Sequence, residues 1–162
     1  MNTQSTQSWY VGVDPGTSRT IGTAGQLCFL NEDWNDAFFI PTWDFESIRS
    51  KLKELKQNIL FAVVEEVSAH FGRPHGDCQR HLERFEWLGI RHAAVPPVRW
   101  QTILEEHQKK KMGANVKPSV EFIQARHPEL VRFIKKEKAG YDSNKSDALV
   151  LAMYAEKLFK RK

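Results

Sequence analysis

The stretch Ile59-Leu60-Phe61-Ala62-Val63-Val64 is apolar without a break and stops at two acids, Glu65 and Glu66. It is far too short to cross a bilayer. A strand with one wet face would alternate, so a continuous run ahead of a Gly/Pro loop (Phe71 to Gly76) describes a central strand covered on both faces. Such a strand demands helices on either side of a sheet. One is legible just before it, where Phe45, Ile48, Leu52 and Leu55 fall at helical spacing behind a capping Asp44.

The remaining elements follow the same logic. Trp9, Val11 and Val13 alternate with Tyr10 and Gly12 in a short strand that Asp14-Pro15-Gly16 closes with turn chemistry. Further strands are expected over Thr20 to Ala24 and Ala37 to Ile40, short enough for an antiparallel meander. After the apolar run, a helix is expected from Asp77 to Leu88 and a strand from Arg91 to Val95, closed by Pro96-Pro97. Helices are then expected over Trp100 to His107 and Pro118 to Arg126. Pro118 suits a first helical turn. The last helix, Ser146 to Phe159, is apolar nearly all round between Ala148 and Ala155 and must be largely buried. A meander followed by alternating strands and helices describes an α/β fold with a mixed sheet and helices on both faces.

With 162 residues, 41% of them hydrophobic, one domain spanning 1–162 is expected. Cys28 and Cys78 stand apart with no CxxC or histidine spacing, which suggests neither a disulfide framework nor a zinc site and points to a reducing, cytoplasmic compartment. The polar first ten residues carry no secretory pattern, and no membrane association is expected. Basic residues exceed acidic ones by 24 to 20, and they cluster at Lys109 to Lys111, Lys135 to Lys138 and Lys157 to Lys162. Such clusters suit phosphate contacts or plain solvated helix faces.

Three acids sit at element ends within apolar sequence: Asp14 at the first strand, Glu65 at the central strand and Asp147 at the last helix. Desolvating an acid is costly unless it is paired or binds a cation, so a shared divalent metal would account for all three. Oxygen ligands favour Mg²⁺ or Mn²⁺ over zinc. Two such ions roughly 4 Å apart would serve phosphodiester hydrolysis. Taken singly, Asp14 is equally a turn residue and Asp147 equally a favourable charge near its helix N-terminus. Strand alternation sends Glu65 and Glu66 to opposite faces, and both faces are apolar enough to be buried, so periodicity does not choose between them. The Asp14-Pro15-Gly16-Thr17 turn alone also fits actin-like ATPases and sugar kinases, but those need a second phosphate loop and about twice this length.

Taken together, Tyr10 to Ala24 (YVGVDPGTSRTIGTA), Phe61 to Ala69 (FAVVEEVSA) and Lys145 to Tyr154 (KSDALVLAMY) resemble the three acidic motifs of RuvC-type Holliday-junction resolvases, in the family's order. Val95 to Trp100 is similar to the matching segment of phage-type members. The resemblance implies a ribonuclease-H-like fold, two Mg²⁺ or Mn²⁺ ions held by Asp14, Glu65 and Asp147, and a homodimer that nicks four-way DNA junctions in pairs. It selects Glu65 over Glu66, and it points to Lys117, followed by Ser119-Val120, as a lysine near the scissile phosphate, with a plain surface lysine as the alternative.

The resemblance also places Arg73 and His75 in the loop that probes the junction, and Lys109, Lys110, Lys111 and Lys117 are further DNA-contact candidates. Where family members carry a fourth ligand this chain has Asn144, which could coordinate through its carbonyl oxygen, yield that place to Asp142, or simply cap the helix. Two rivals follow: a YqgF-like nuclease acting on RNA, whose pattern Arg19-Thr20-Ile21-Gly22 resembles, and a non-catalytic protein that binds DNA structures.

Overall fold

Alternation within the first strand sets the two faces of the sheet. The computed structural model describes residues 6–16, 24–66, 75–108 and 116–161, with the backbone alone at 24 and 75–77. In it β1 (Trp9–Gly16) is the middle strand of five. It pairs antiparallel with β2 (Ala24–Asn31), which pairs antiparallel with β3 (Ala37–Pro41). On its other side β1 lies parallel to β4 (Ile59–Glu65), which lies parallel to β5 (His92–Val95). The result is an α/β fold on a mixed sheet ordered β3-β2-β1-β4-β5, a meander continued by parallel strands.

Helices α1 (Phe45–Leu55) and α2 (His75–Trp87) cover one face. Their Ile48, Leu52 and Phe85 pack with Trp9, Val11, Val13, Leu27, Phe29, Ala62 and Val64. Asp44 caps α1 by accepting the Ser47 N–H at 3.2 Å. The opposite face carries α3 (Pro97–Trp100), a 3₁₀ segment (Gln101–His107), α4 (Pro118–Arg126), α5 (Val131–Ile134) and α6 (Ser143–Lys160). Ala148 to Ala155 of α6 are all buried, against Tyr10, Cys28, Leu30 and Val63 among others. A fully buried leucine is worth about 2 kcal/mol, so Leu149 and Leu151 hold α6 on the sheet more firmly than its cap, worth about 1 kcal/mol, holds its end.

Two expectations need correction, and a third lies largely outside the described residues. Of the strand expected over Thr20 to Ala24 only Ala24 is described, and it belongs to β2, which continues to Asn31. Its alternation was hidden because Leu27 and Phe29 enter one core while Cys28 and Leu30 enter the other. The helix expected at Trp100 starts earlier, with Pro97 in its first turn, and passes into a 3₁₀ segment kinked at Glu105, where φ is 53°. The last helix starts at Ser143 rather than Ser146 because Asp142 is its cap. Cys28 and Cys78 are both buried, one in each core. Among the described residues no helix is long and apolar enough to cross a membrane.

Candidate active site

Tyr10, Gly12 and Asp14 alternate onto the α6 side of β1. At Gly12 the helix backbone comes so close that a Cβ would sit 2.2 Å from the Ala152 nitrogen and 2.3 Å from the Ala148 carbonyl oxygen. Only glycine admits that approach, and it brings the first turns of α6 toward the end of β1. Asp14, 7% exposed, accepts the Gly16 N–H on Oδ1 at 3.0 Å. Gly25 closes the same corner from β2, where a Cβ would lie 1.8 Å from the Asp14 carbonyl oxygen.

Glu65 ends β4 on the side of Val63, which belongs to the core under α6, whereas Ala62 and Val64 enter the other core. It therefore shares a face with Asp14. The Trp100 indole N–H donates to Glu65 Oε2 at 2.6 Å. Burial and then the charge of Asp14 push the Glu65 carboxyl up to about 7; Asp147 adds to the rise, while the Trp100 hydrogen bond and Lys117 oppose it. Glu66 is exposed, and its N–H goes to the Val95 carbonyl at 2.9 Å.

Asp147 stands one turn inside α6. Its Oδ1 accepts from the Ser119 hydroxyl at 2.5 Å, its Oδ2 faces Lys117 Nζ at 3.0 Å, and Ser119 is in turn bonded to the Ser146 hydroxyl at 2.7 Å. Ser119 and Ser146 are buried, so Asp147 is held by a rigid base. Lys117 directly precedes α4. Burial works to lower its pKa, but Asp147, Asp14 and Glu65 outweigh it and the net shift is upward. The ammonium thus answers to all three acids. Beside it a cavity of about 280 Å³ is lined by Trp100, Gln101, Leu104, Lys117, Ser119 and Asp147 among others.

Asp14, Glu65, Asp147 and Lys117 are accordingly gathered at one end of the sheet, on one face. Asp142 is committed differently: its Oδ1 caps α6, accepting the N–H groups of Asn144 at 3.0 Å and Lys145 at 3.1 Å. The capping role considered for Asn144 thus belongs to Asp142, and Asn144 is a donor to it. His75 starts α2, of which only the backbone is described there, and Arg73 and Lys109 to Lys111 lie outside the described residues.

Sequence alone gave no role to Trp100, Ser119 or Ser146. Their signal was positional, Ser119 lying two residues past Lys117 and Ser146 immediately before Asp147.

Among the described residues, no three His, Cys, Asp or Glu side chains form a ready cage for a metal ion. The donor chemistry nonetheless suits one. Burial first, and then the charges of Asp14 and Asp147, push the Glu65 carboxyl up to about 7, and a divalent cation among the three acids would favour its charged form. Asp14, Glu65 and Asp147 would hold it, Asp147 being oriented by Ser119 and Lys117. No protein-family model matches the sequence, and no curated protein matches it.

Proposed function

We propose that the protein is a metal-dependent endodeoxyribonuclease of the ribonuclease-H-like, RuvC-like type, which cuts four-way DNA junctions as a homodimer. One observation carries this reading: Asp14, Glu65 and Asp147, from two adjacent parallel strands and the helix crossing them, are electrostatically coupled around a single lysine. The strand order, a meander followed by parallel strands, is that of ribonuclease-H-like folds and supports it. Bound Mg²⁺ or Mn²⁺ would supply an activated water and stabilisation of the leaving 3′ oxygen.

The protein's own residues do the rest. Trp100 fixes one Glu65 oxygen, and Ser119 on Ser146 fixes Asp147, so the acids are positioned before substrate arrives. Lys117, 43% exposed at its side chain and held in the charged form, borders the cavity and can neutralise a phosphate placed there.

A synthetic four-way junction, incubated with and without Mg²⁺, tests the proposal. The wild type should nick it only with metal. Asp14→Asn and Asp147→Asn should each abolish nicking yet bind the junction within a few fold, because phosphate contacts supply the affinity. Retained cutting by either variant would sink the mechanism. Cutting of single-stranded RNA in place of the junction would favour the YqgF-like alternative, and binding with no metal-dependent nicking the non-catalytic one.

A further inference from the structure

Helices α1 and α2 lie on the sheet face away from the acids, and between them runs a groove of about 430 Å³. Arg49 and Lys53 stand one turn apart on α1, and Arg80 and Arg84 one turn apart on α2, with Glu83 the single acid among the described residues that line the groove. Among the described residues, none of the four cations has a carboxylate within ion-pair distance, although elsewhere Lys51, Lys117, Arg126 and Lys160 each do.

Arg84 is the most constrained of them. Its guanidinium lies over the Phe45 ring, 5.8 Å from the centroid, and among the described residues its buried Nη1 has no hydrogen-bond partner. Leaving a buried charged donor unsatisfied costs more than an ordinary lost hydrogen bond. Burial and the neighbouring Arg80 also lower its pKa. The positive field reaches buried His81, which burial first, then Arg84 and Arg80, hold down to about 4. At the end of the α2 row Trp87 is 89% exposed, the most exposed large apolar side chain described.

We propose that this groove is a second nucleic-acid site, in which the four cations take the phosphates of a single strand and Trp87 stacks on an unpaired base. Cation pairs a helical turn apart, with Cβ atoms about 6 Å from each other, form two rails for a polyanion. An exposed indole beside such rails is a stacking platform for a base of any sequence. A second copy of the chain fits less well, since a two-fold contact sets the same patch against itself and would oppose cation to cation. An acidic protein could satisfy the charges but lacks the regular succession of flat bases and phosphates that matches an indole beside two cation rails. That the strand is DNA rests on the nuclease proposal; the affinity for a phosphate backbone does not.

The test is the salt dependence of fluorescein-labelled oligothymidylate binding, in metal-free buffer, for the wild type, Arg49→Gln/Arg80→Gln and Trp87→Ala. These three side chains are exposed, so each variant should fold like the wild type, with thermal melts as the check. The double variant should lower the slope of log K against log salt by about 1.4, two phosphates at about 0.7 each. Trp87→Ala should weaken binding about fivefold or more, the equivalent of about 1 kcal/mol of stacking. An unchanged slope, unchanged affinity in Trp87→Ala, no binding by the wild type, or equal affinity for polyglutamate would each overturn the groove. Junction nicking is scored separately: variants that cut normally with an unchanged slope refute the groove alone, whereas oligothymidylate binding with no cutting by the wild type refutes the nuclease alone.

Discussion

Glu65 sits where burial and neighbouring acids both resist its charge, and the consequence is measurable without any substrate. Its carboxyl, pushed up to about 7 in the folded chain, would titrate near 4.3 when unfolded. Between those values the folded state holds a proton that the unfolded state has released, so stability falls as pH rises through that window and the full penalty is present above it. At about 1.4 kcal/mol per unit, the penalty is on the order of 4 kcal/mol at most. Glu65→Gln should therefore be more stable than the wild type in urea melts at pH 8 with chelator present, and no more stable at pH 4. An equal pH dependence in the two proteins would contradict the coupling. Glu66, exposed at the strand end, gives the contrast. Glu66→Gln should nick within about tenfold of the wild type, a change of no more than about 1.4 kcal/mol, whereas Glu65→Gln should not nick at all. The opposite ranking would move the active site to the other face of the sheet.

At the level of elements, the site depends on how α6 meets β1. A Cβ at position 12 would collide with backbone atoms of the helix, which cannot step aside as a flexible side chain could. Gly12→Ala should thus cost about 3 kcal/mol or more, through overpacking that lifts α6 and carries Asp147 away from Asp14. A loss under 1 kcal/mol in urea denaturation would show that the helix can shift freely. The start of α6 is set by a smaller force. Asp142 accepts two backbone N–H groups there, so Asp142→Ala should cost about 1 kcal/mol. Asn144→Ala should cost less, which distinguishes the cap from its neighbour. The burial of α6 was legible in the apolar stretch Ala148 to Ala155, but its contact with Gly12 was not, because 136 residues separate Gly12 from Ala148 and no local pattern joins them.

For the molecule as a whole, a four-way junction presents two symmetry-related strands, and a protein cutting both is best matched by two-fold symmetry. Sedimentation on junction DNA should therefore detect two chains per junction; a strictly monomeric complex would refute the paired-nick proposal. With a net charge of +4 and exposed Lys135, Lys136 and Lys138, binding should also weaken as salt is raised.

The apolar run ending at Glu65 and the helical spacing from Phe45 to Leu55 determined, from sequence alone, an α/β sheet with helices on both faces, because hydrophobic periodicity is a local property of the chain. The strand Ala24–Asn31 escaped the same treatment because both its faces are buried and its alternation carries no contrast. Asp14, Glu65 and Asp147 were recognisable one by one as acids at element ends. Periodicity did not say whether Glu65 or Glu66 faces Asp14, since a strand between two cores offers equal apolar company on either side, and only the family resemblance pointed to Glu65. Tertiary structure decided it by laying α6 on the side of Val63 and Gly12, which brings Asp147 to the side of Glu65. The roles of Trp100 and Ser119 were settled in the same way, because a hydrogen bond across 35 or 28 residues depends on how the layers stack and leaves no periodic trace in the chain.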